Sequence, residues 1–385
     1  MNSRERVLAS LNHREPDRVP FDLGSTVVTG ISVRAYRGLV KELGLPDREP
    51  VLVDVTQQIA QVDEDVMVRL GVDAQGVAPR SSATFEIEIK DGGDHTYFHD
   101  EFGTGWKMPK QGGFYYDMYE FPLAGDGITA ADVRAHAWPD PLDPRRFVGL
   151  RAAAQAVRDS GRAVVVGSMS AGILEVFAWT RGFQDYFADL AADQPLAEAF
   201  LEQTLELQMA YWDRMIDEIG DLIDVAATAD DFSGQNGLLF SPVTYRRLVK
   251  PRHARLFELI HRRSNAKIFF HSCGSVRTAI PDLIEAGVDI LNPVQVSATG
   301  MDSADLKREY GRDLVFWGGG VDTQHVLGDG TTQQVRDEVR RRVTDLMPGG
   351  GFIFNTVHNI QANVPPANIV AMWETLQEVG VYGGS

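Results

Sequence analysis

Cysteine occurs once in this chain of 385 residues, at Cys273. A single thiol excludes an intrachain disulfide framework and fits a reducing compartment, so a cytoplasmic setting is expected. Positive charge is also scarce: 37 Lys and Arg stand against 54 Asp and Glu, a net charge of −17. A surface of that sign opposes nucleic acid and anionic membrane, and neither is expected as a partner. No apolar run approaches the roughly 18 residues that a bilayer span requires. The segment Met1–Leu8 has no apolar core of the signal-peptide kind. Internal repeats and low-complexity tracts are absent. What remains is an ordinary globular composition, 44% hydrophobic and 24% charged.

Short apolar runs alternate with longer stretches of helical period, which favours a mostly parallel sheet. Eight runs read as strands: Val19–Leu23, Val72–Val77, Ala163–Ser168, Leu222–Thr228, Lys267–His271, Asp289–Asn292, Leu314–Trp317 and Gly351–Asn355. Helical patterns lie between most of them, over Gln184–Gly220, Pro242–Ser264 and Gln333–Leu346. Eight strands with intervening helices predict an α/β fold of the (β/α)8 TIM-barrel type, with a doubly wound open sheet as the alternative. One region departs from the alternation. Thr84–Phe121 has period-2 patterning around Asp91-Gly-Gly93, which predicts an antiparallel β-hairpin insertion, here expected to cap the barrel mouth. Its aromatics, Trp106, Phe114, Tyr115, Tyr116 and Tyr119, either line a substrate pocket or pack the insertion onto the barrel. Thr129–Pro144, with three prolines, reads as a surface connection.

Barrel chemistry is built at the carboxyl ends of the strands. There the chain places Ser168–Gly172, Ala229–Gly237, His271-Ser-Cys273, Asn292–Gln295, Gly318–Asp322 and Thr356–Gln361. His271 and Cys273 are two residues apart at a strand end, so their side chains fall on one side. They can converge on one zinc ion, at about 2.0 Å from nitrogen and about 2.3 Å from sulfur. The competing reading is a buried apolar thiol beside a hydrogen-bonded imidazole. A catalytic zinc takes three protein ligands and an open position. His358, after the last strand, is the best third ligand; Asp230, Asp231 and His325 are weaker candidates. Asp230 and Asp231 are equally readable as loop or helix-cap residues. The other six histidines (His13, His95, His99, His136, His253 and His261) are expected in surface or packing roles.

Several segments together resemble the uroporphyrinogen decarboxylase superfamily, including its cobalamin-linked zinc methyltransferase branch: Arg14–Pro20, Asp230–Gln235, His271-Ser-Cys-Gly274, Gly287–Gln295, Phe316–Asp322 and Val357–Gln361. The resemblance implies a (β/α)8 barrel over nearly the whole chain. It implies zinc on His271, Cys273 and His358, where the branch has a second cysteine at the place of His358. It also implies catalytic roles for Asp230, Asp231 and Gln235, and cofactor contacts from Asn292, Gln295 and Asp322. The decarboxylases bind an acidic tetrapyrrole with N-terminal arginines and use an aspartate after the second strand. Here Phe21–Gly30 has no arginine and Val77–Ser81 has no acid, which opposes porphyrinogen decarboxylation. The reaction implied is methyl transfer between a small methylated substrate or thiol and a corrinoid, either free or on a separate protein, since no Asp-x-His-x-x-Gly motif is present. A lyase acting on another small acid and a non-catalytic binding protein are the alternatives. The resemblance also implies a homodimer.

Overall fold

The computed structural model describes residues 1–192 and 194–383. Seven parallel strands form the central sheet, in the spatial order Ala74–Val77, Ala163–Gly167, Val225–Ala229, Lys267–His271, Ile290–Asn292, Val315–Trp317 and Phe352–Ile353. Spatial order equals chain order, as a barrel built from successive right-handed βα units requires. The eighth expected strand, 19–23, does not form a continuous ladder. It closes the sheet through single contacts. The Asp22 N–H donates to the Phe354 carbonyl, the Phe354 N–H to Pro20, and the Asp73 N–H to Phe21, each at 2.8–2.9 Å. Pro20 has no N–H to give, which limits the pairing available to this segment.

Alternation along the strands sorts the core into two layers. Ala163, Val165, Val225, Ala227, Phe269, Ile290, Val315, Trp317 and Ile353 fill the barrel interior, with Val7 and Leu11 of helix Ser3–Leu11 packed among them. The intervening positions, such as Val164, Val166, Ile268 and Phe270, face the surrounding helices. Phe269 and Trp317 meet edge to face, with ring centroids 5.5 Å apart. At the amino-terminal end, buried Asp73 accepts hydrogen bonds from Arg6, Arg18 and the Phe21 N–H, tying the closing segment to its neighbour. The Arg14–Pro20 motif thus contributes a structural ion pair.

The long helices are Gln194–Ile219, Lys250–Arg263 and Thr332–Leu346. A π-helical turn at Tyr245–Val249 leads into the second of these. None of the helices among the described residues is long and apolar enough to cross a membrane.

The expected hairpin is part of a four-stranded antiparallel sheet, Lys90–Asp91, His95–His99, Gly105–Pro109 and Asp117–Glu120. Phe98, Trp106 and Tyr116 form its own buried cluster, and Trp106 stands edge-on to Trp179 of the helix Ile173–Arg181. Trp106 and Tyr116 therefore pack, whereas Phe114 and Tyr115 are exposed.

Candidate functional site

The strand Lys267–His271 ends with its odd-numbered side chains directed to the barrel interior, because Phe269 lies in the interior cluster. His271 continues that side and Cys273 follows it, with Cys273 Sγ 3.5 Å from His271 Nε2. His358, reached from the far end of the chain, sets its ring edge-on to that of His271 at 5.5 Å. One donor atom from each of the three side chains lies within 4.8 Å of the others. Tetrahedral zinc bond lengths of about 2.0–2.3 Å place ligand atoms about 3.3–3.8 Å apart, so a small contraction would complete such a set.

The loops that carry these residues are pinned. The His271 Nδ1–H donates to Asn292 Oδ1 at 2.5 Å, and Asn292 in turn donates through Nδ2 to the Trp317 carbonyl. That second bond fixes which end of the amide faces the imidazole. His271 therefore holds its proton on Nδ1 and leaves the Nε2 lone pair toward Cys273 and His358. The Cys273 N–H donates to Asp231 Oδ1 at 2.6 Å, and its carbonyl accepts from Ser233 Oγ. The Gly274 N–H donates to Gln295 Oε1 at 2.6 Å. Gly274 has φ of 92°, and a Cβ there would sit 2.6 Å from the Gly234 carbonyl, so this crossing of two loops requires glycine. The His358 loop is tied to the segment around Gly30. Asn359 Oδ1 accepts from the Gly30 N–H at 2.7 Å, and the Ile360 N–H donates to the Gly30 carbonyl.

The electrostatics of the group are those of a site short of positive charge. Burial, and then the Asp231 and Glu175 carboxylates, push the Cys273 thiol well above its ordinary range. Burial, and then the neighbouring His271, push His358 down to about 3, so it is neutral at pH 7 and its lone pairs are free to bind a cation. A divalent cation suits this donor set: it would favour the thiolate and binds imidazole in its neutral form. The three residues therefore fit zinc.

A scan against known families matches residues 114–379 to uroporphyrinogen decarboxylase (URO-D). The chain belongs to the URO-D family. No curated protein matches it. Among solved structures it is similar to a methyltransferase from Methanosarcina mazei, with 18% identity, a TM-score of 0.64, and coverage of 98% of this chain and 99% of that one. It also aligns with the β-glycosidase of Thermosphaera aggregans at 10% identity and a TM-score of 0.41, covering 95% and 97% of the two chains. The first likeness shows the shared barrel fold.

Other expected residues of this URO-D chain stand elsewhere. Asp230 does not reach the triad. Its buried carboxylate accepts the Ile173, Leu174 and Glu175 N–H groups at the start of helix Ile173–Arg181 and pairs with His253 Nε2 at 2.7 Å. These bonds fit the cap reading of Asp230. Asp231 is the acid beside the triad. Gln235 is exposed and donates to Gln324. Asn292 and Gln295, expected to touch cofactor, bond within the protein: Asn292 to His271 and the Trp317 carbonyl, Gln295 through Oε1 to the Gly274 N–H. Asp322 accepts from the Gln324 N–H and pairs with His325 Nδ1 at 2.7 Å, which also takes His325 away from the triad.

Two residues went unnoticed in the sequence. Glu175 stands in the first turn of helix Ile173–Arg181, near Asp231, and burial and then the Asp231 and Asp230 charges hold its carboxyl well above the usual range. An acid three positions beyond the strand-end loop Ser168–Gly172 was the available signal. Asp22, at the end of the closing segment, accepts from Ser25 and from Trp317 Nε1 at 2.9 Å. Burial raises it to about 6 despite those donors.

Proposed function

We propose that this URO-D family member is a zinc-dependent methyltransferase that works with a corrinoid, moving a methyl group between cobalamin and a small thiol or methylated substrate. The observation that supports this reading is the convergence of His271, Cys273 and His358 at the carboxyl end of the barrel, two imidazoles and one thiol with an acid hydrogen-bonded to the thiol residue's backbone. Zinc held there supplies Lewis acidity, which lowers the pKa of a thiol or polarises an ether oxygen.

The chain's own residues do the rest. Asn292 keeps the His271 proton on Nδ1 and aims Nε2 inward. Asp231 and Gln295 hold the backbone of Cys273 and Gly274 in place. The hydrogen bonds from the Gly30 region fix the approach of His358. The lack of arginine in Phe21–Gly30 and of an acid in Val77–Ser81 argues against an acidic tetrapyrrole substrate. In this proposal the corrinoid is a co-substrate, free or carried by a separate protein.

The test is metal analysis of the purified protein followed by spectroscopy. Stoichiometric zinc, together with a change in cobalt absorbance when methylcobalamin or cob(I)alamin is mixed with a panel of thiols and methyl ethers, supports the proposal. Absence of zinc after careful preparation, no spectral change with any panel member, and carbon dioxide release from a carboxylate substrate would replace it with the lyase reading.

A further inference from the structure

The amino-terminal end of the barrel, opposite the triad, carries a cleft. A cleft of about 460 Å³ is lined by His13, Lys307, Arg308 and Arg312, beside Gly311 and the Pro348-Gly349 turn. These residues lie where helices hand over to strand beginnings. His13 follows helix Ser3–Leu11, Lys307 lies on Ser303–Tyr310 ahead of Val315–Trp317, and the glycines precede Phe352–Ile353.

The shape of the cleft is fixed by close backbone packing. Gly349, Gly350 and Gly351 all have positive φ, and a Cβ on Gly350 would lie 2.5–2.8 Å from the backbone of Arg14. Lys307 Nζ donates to the Gly350 carbonyl at 2.5 Å, and Glu15 accepts the Gly349 N–H at 2.8 Å.

The charges in it are incompletely answered. Among the described residues, neither Lys307 nor Arg312 has a carboxylate within ion-pair distance, while Arg308 pairs with Asp305 at 2.5 Å. Glu15 and Asp313 are the other acids that act on the group, and Lys267, itself paired with Asp289, adds further positive charge. Burial lowers Lys307 to about 8. Burial, and then the charge on Lys307, lower His13, whose Nδ1 is buried without a partner. An ammonium, an imidazole and two exposed guanidinium groups thus line one open cleft, in a protein whose net charge of −17 otherwise repels anions.

We propose that this cleft binds the phosphate group of a small metabolite. Guanidinium forks and an ammonium match a tetrahedral dianion. The overall negative charge opposes long polyanions, which favours a small phosphorylated ligand. The site is independent of the zinc proposal.

Isothermal titration of the full chain with inorganic phosphate, at constant ionic strength set by sodium chloride, tests it. Saturable binding is expected in the wild type and in Cys273→Ala, which separates this site from any phosphate held at the triad. Lys307→Met and Arg312→Gln should each weaken binding about tenfold or more, with unchanged Tm for Arg312→Gln in the absence of phosphate. A nucleoside monophosphate arm shows whether free phosphate or a phosphate on a larger body binds better. Lack of saturable binding in the wild type overturns the proposal. So does binding in Arg312→Gln equal to the wild type, and this exposed position settles the matter even where Lys307→Met fails to fold.

Discussion

Asn292 decides which nitrogen of His271 is available, through a pair of hydrogen bonds that leaves no freedom to either ring or amide. Asn292→Ala should weaken zinc affinity about 10–100-fold, measured by chelator competition, because groups that orient metal ligands have effects of that size. Cys273→Ala should abolish zinc retention while the circular dichroism spectrum stays that of the wild type; full zinc occupancy in this variant would remove Cys273 from the ligand set. Asp22 gives a pH signature. Its folded value of about 6 exceeds its ordinary 3.8, so between those values the folded state binds more protons than the unfolded one. Stability from this group is therefore full below about pH 4 and is lost as pH rises through about 6. Asp22→Asn cannot ionise, so its Tm relative to wild type should climb between pH 4 and 6.5. A flat difference would show that Asp22 is not held protonated.

At the level of elements, the strand Lys267–His271 was legible in the sequence with its exact bounds, because five residues bounded by polar loops leave little choice. The period of two then placed His271 and Cys273 on one side, and the structure agrees. Asp230 and Asp231 show where legibility ended. Adjacent acids on a loop look alike in sequence, yet one turns to a helix start and the other to the Cys273 backbone. Only the packing of Ile173–Arg181 against that loop separates them. Glu175 was hidden for a related reason, since an acid in a first helical turn is ordinary and favourable there. The division of roles is testable. Asp230→Ala should cost more than about 2 kcal/mol in unfolding free energy, as it strips a buried cap from three N–H groups and orphans His253. Asp231→Asn should leave stability nearly unchanged and lower methyl transfer about tenfold or more. Equal destabilisation by the two would reject the assignment.

For the molecule as a whole, eight alternating units were readable, but closure was not. Periodicity reports which residues face inward, and an open sheet and a barrel share that pattern. Closure depends on a few contacts around Pro20–Asp22 that have no sequence period. Native-state hydrogen exchange checks it. The amides of Asp22, Asp73 and Phe354 should be protected to within about tenfold of those in strand Val225–Ala229, since all belong to one closed wall. Rapid exchange at these three would indicate an open sheet.

That closing seam has a consequence for biosynthesis. Its two sides are residues 20–22 and residue 354, far apart in the order of synthesis. At about 5–20 residues per second, the segment 20–22 waits on the order of 20–60 s for its partner. During that interval Phe21 has no partner on its Phe354 side, and the growing sheet ends in an unpaired strand, the kind of edge that recruits other chains. The nascent protein therefore depends on whatever shields an open sheet on the ribosome, and a stop codon placed shortly before Phe354 should yield an aggregating chain rather than a slightly shortened barrel.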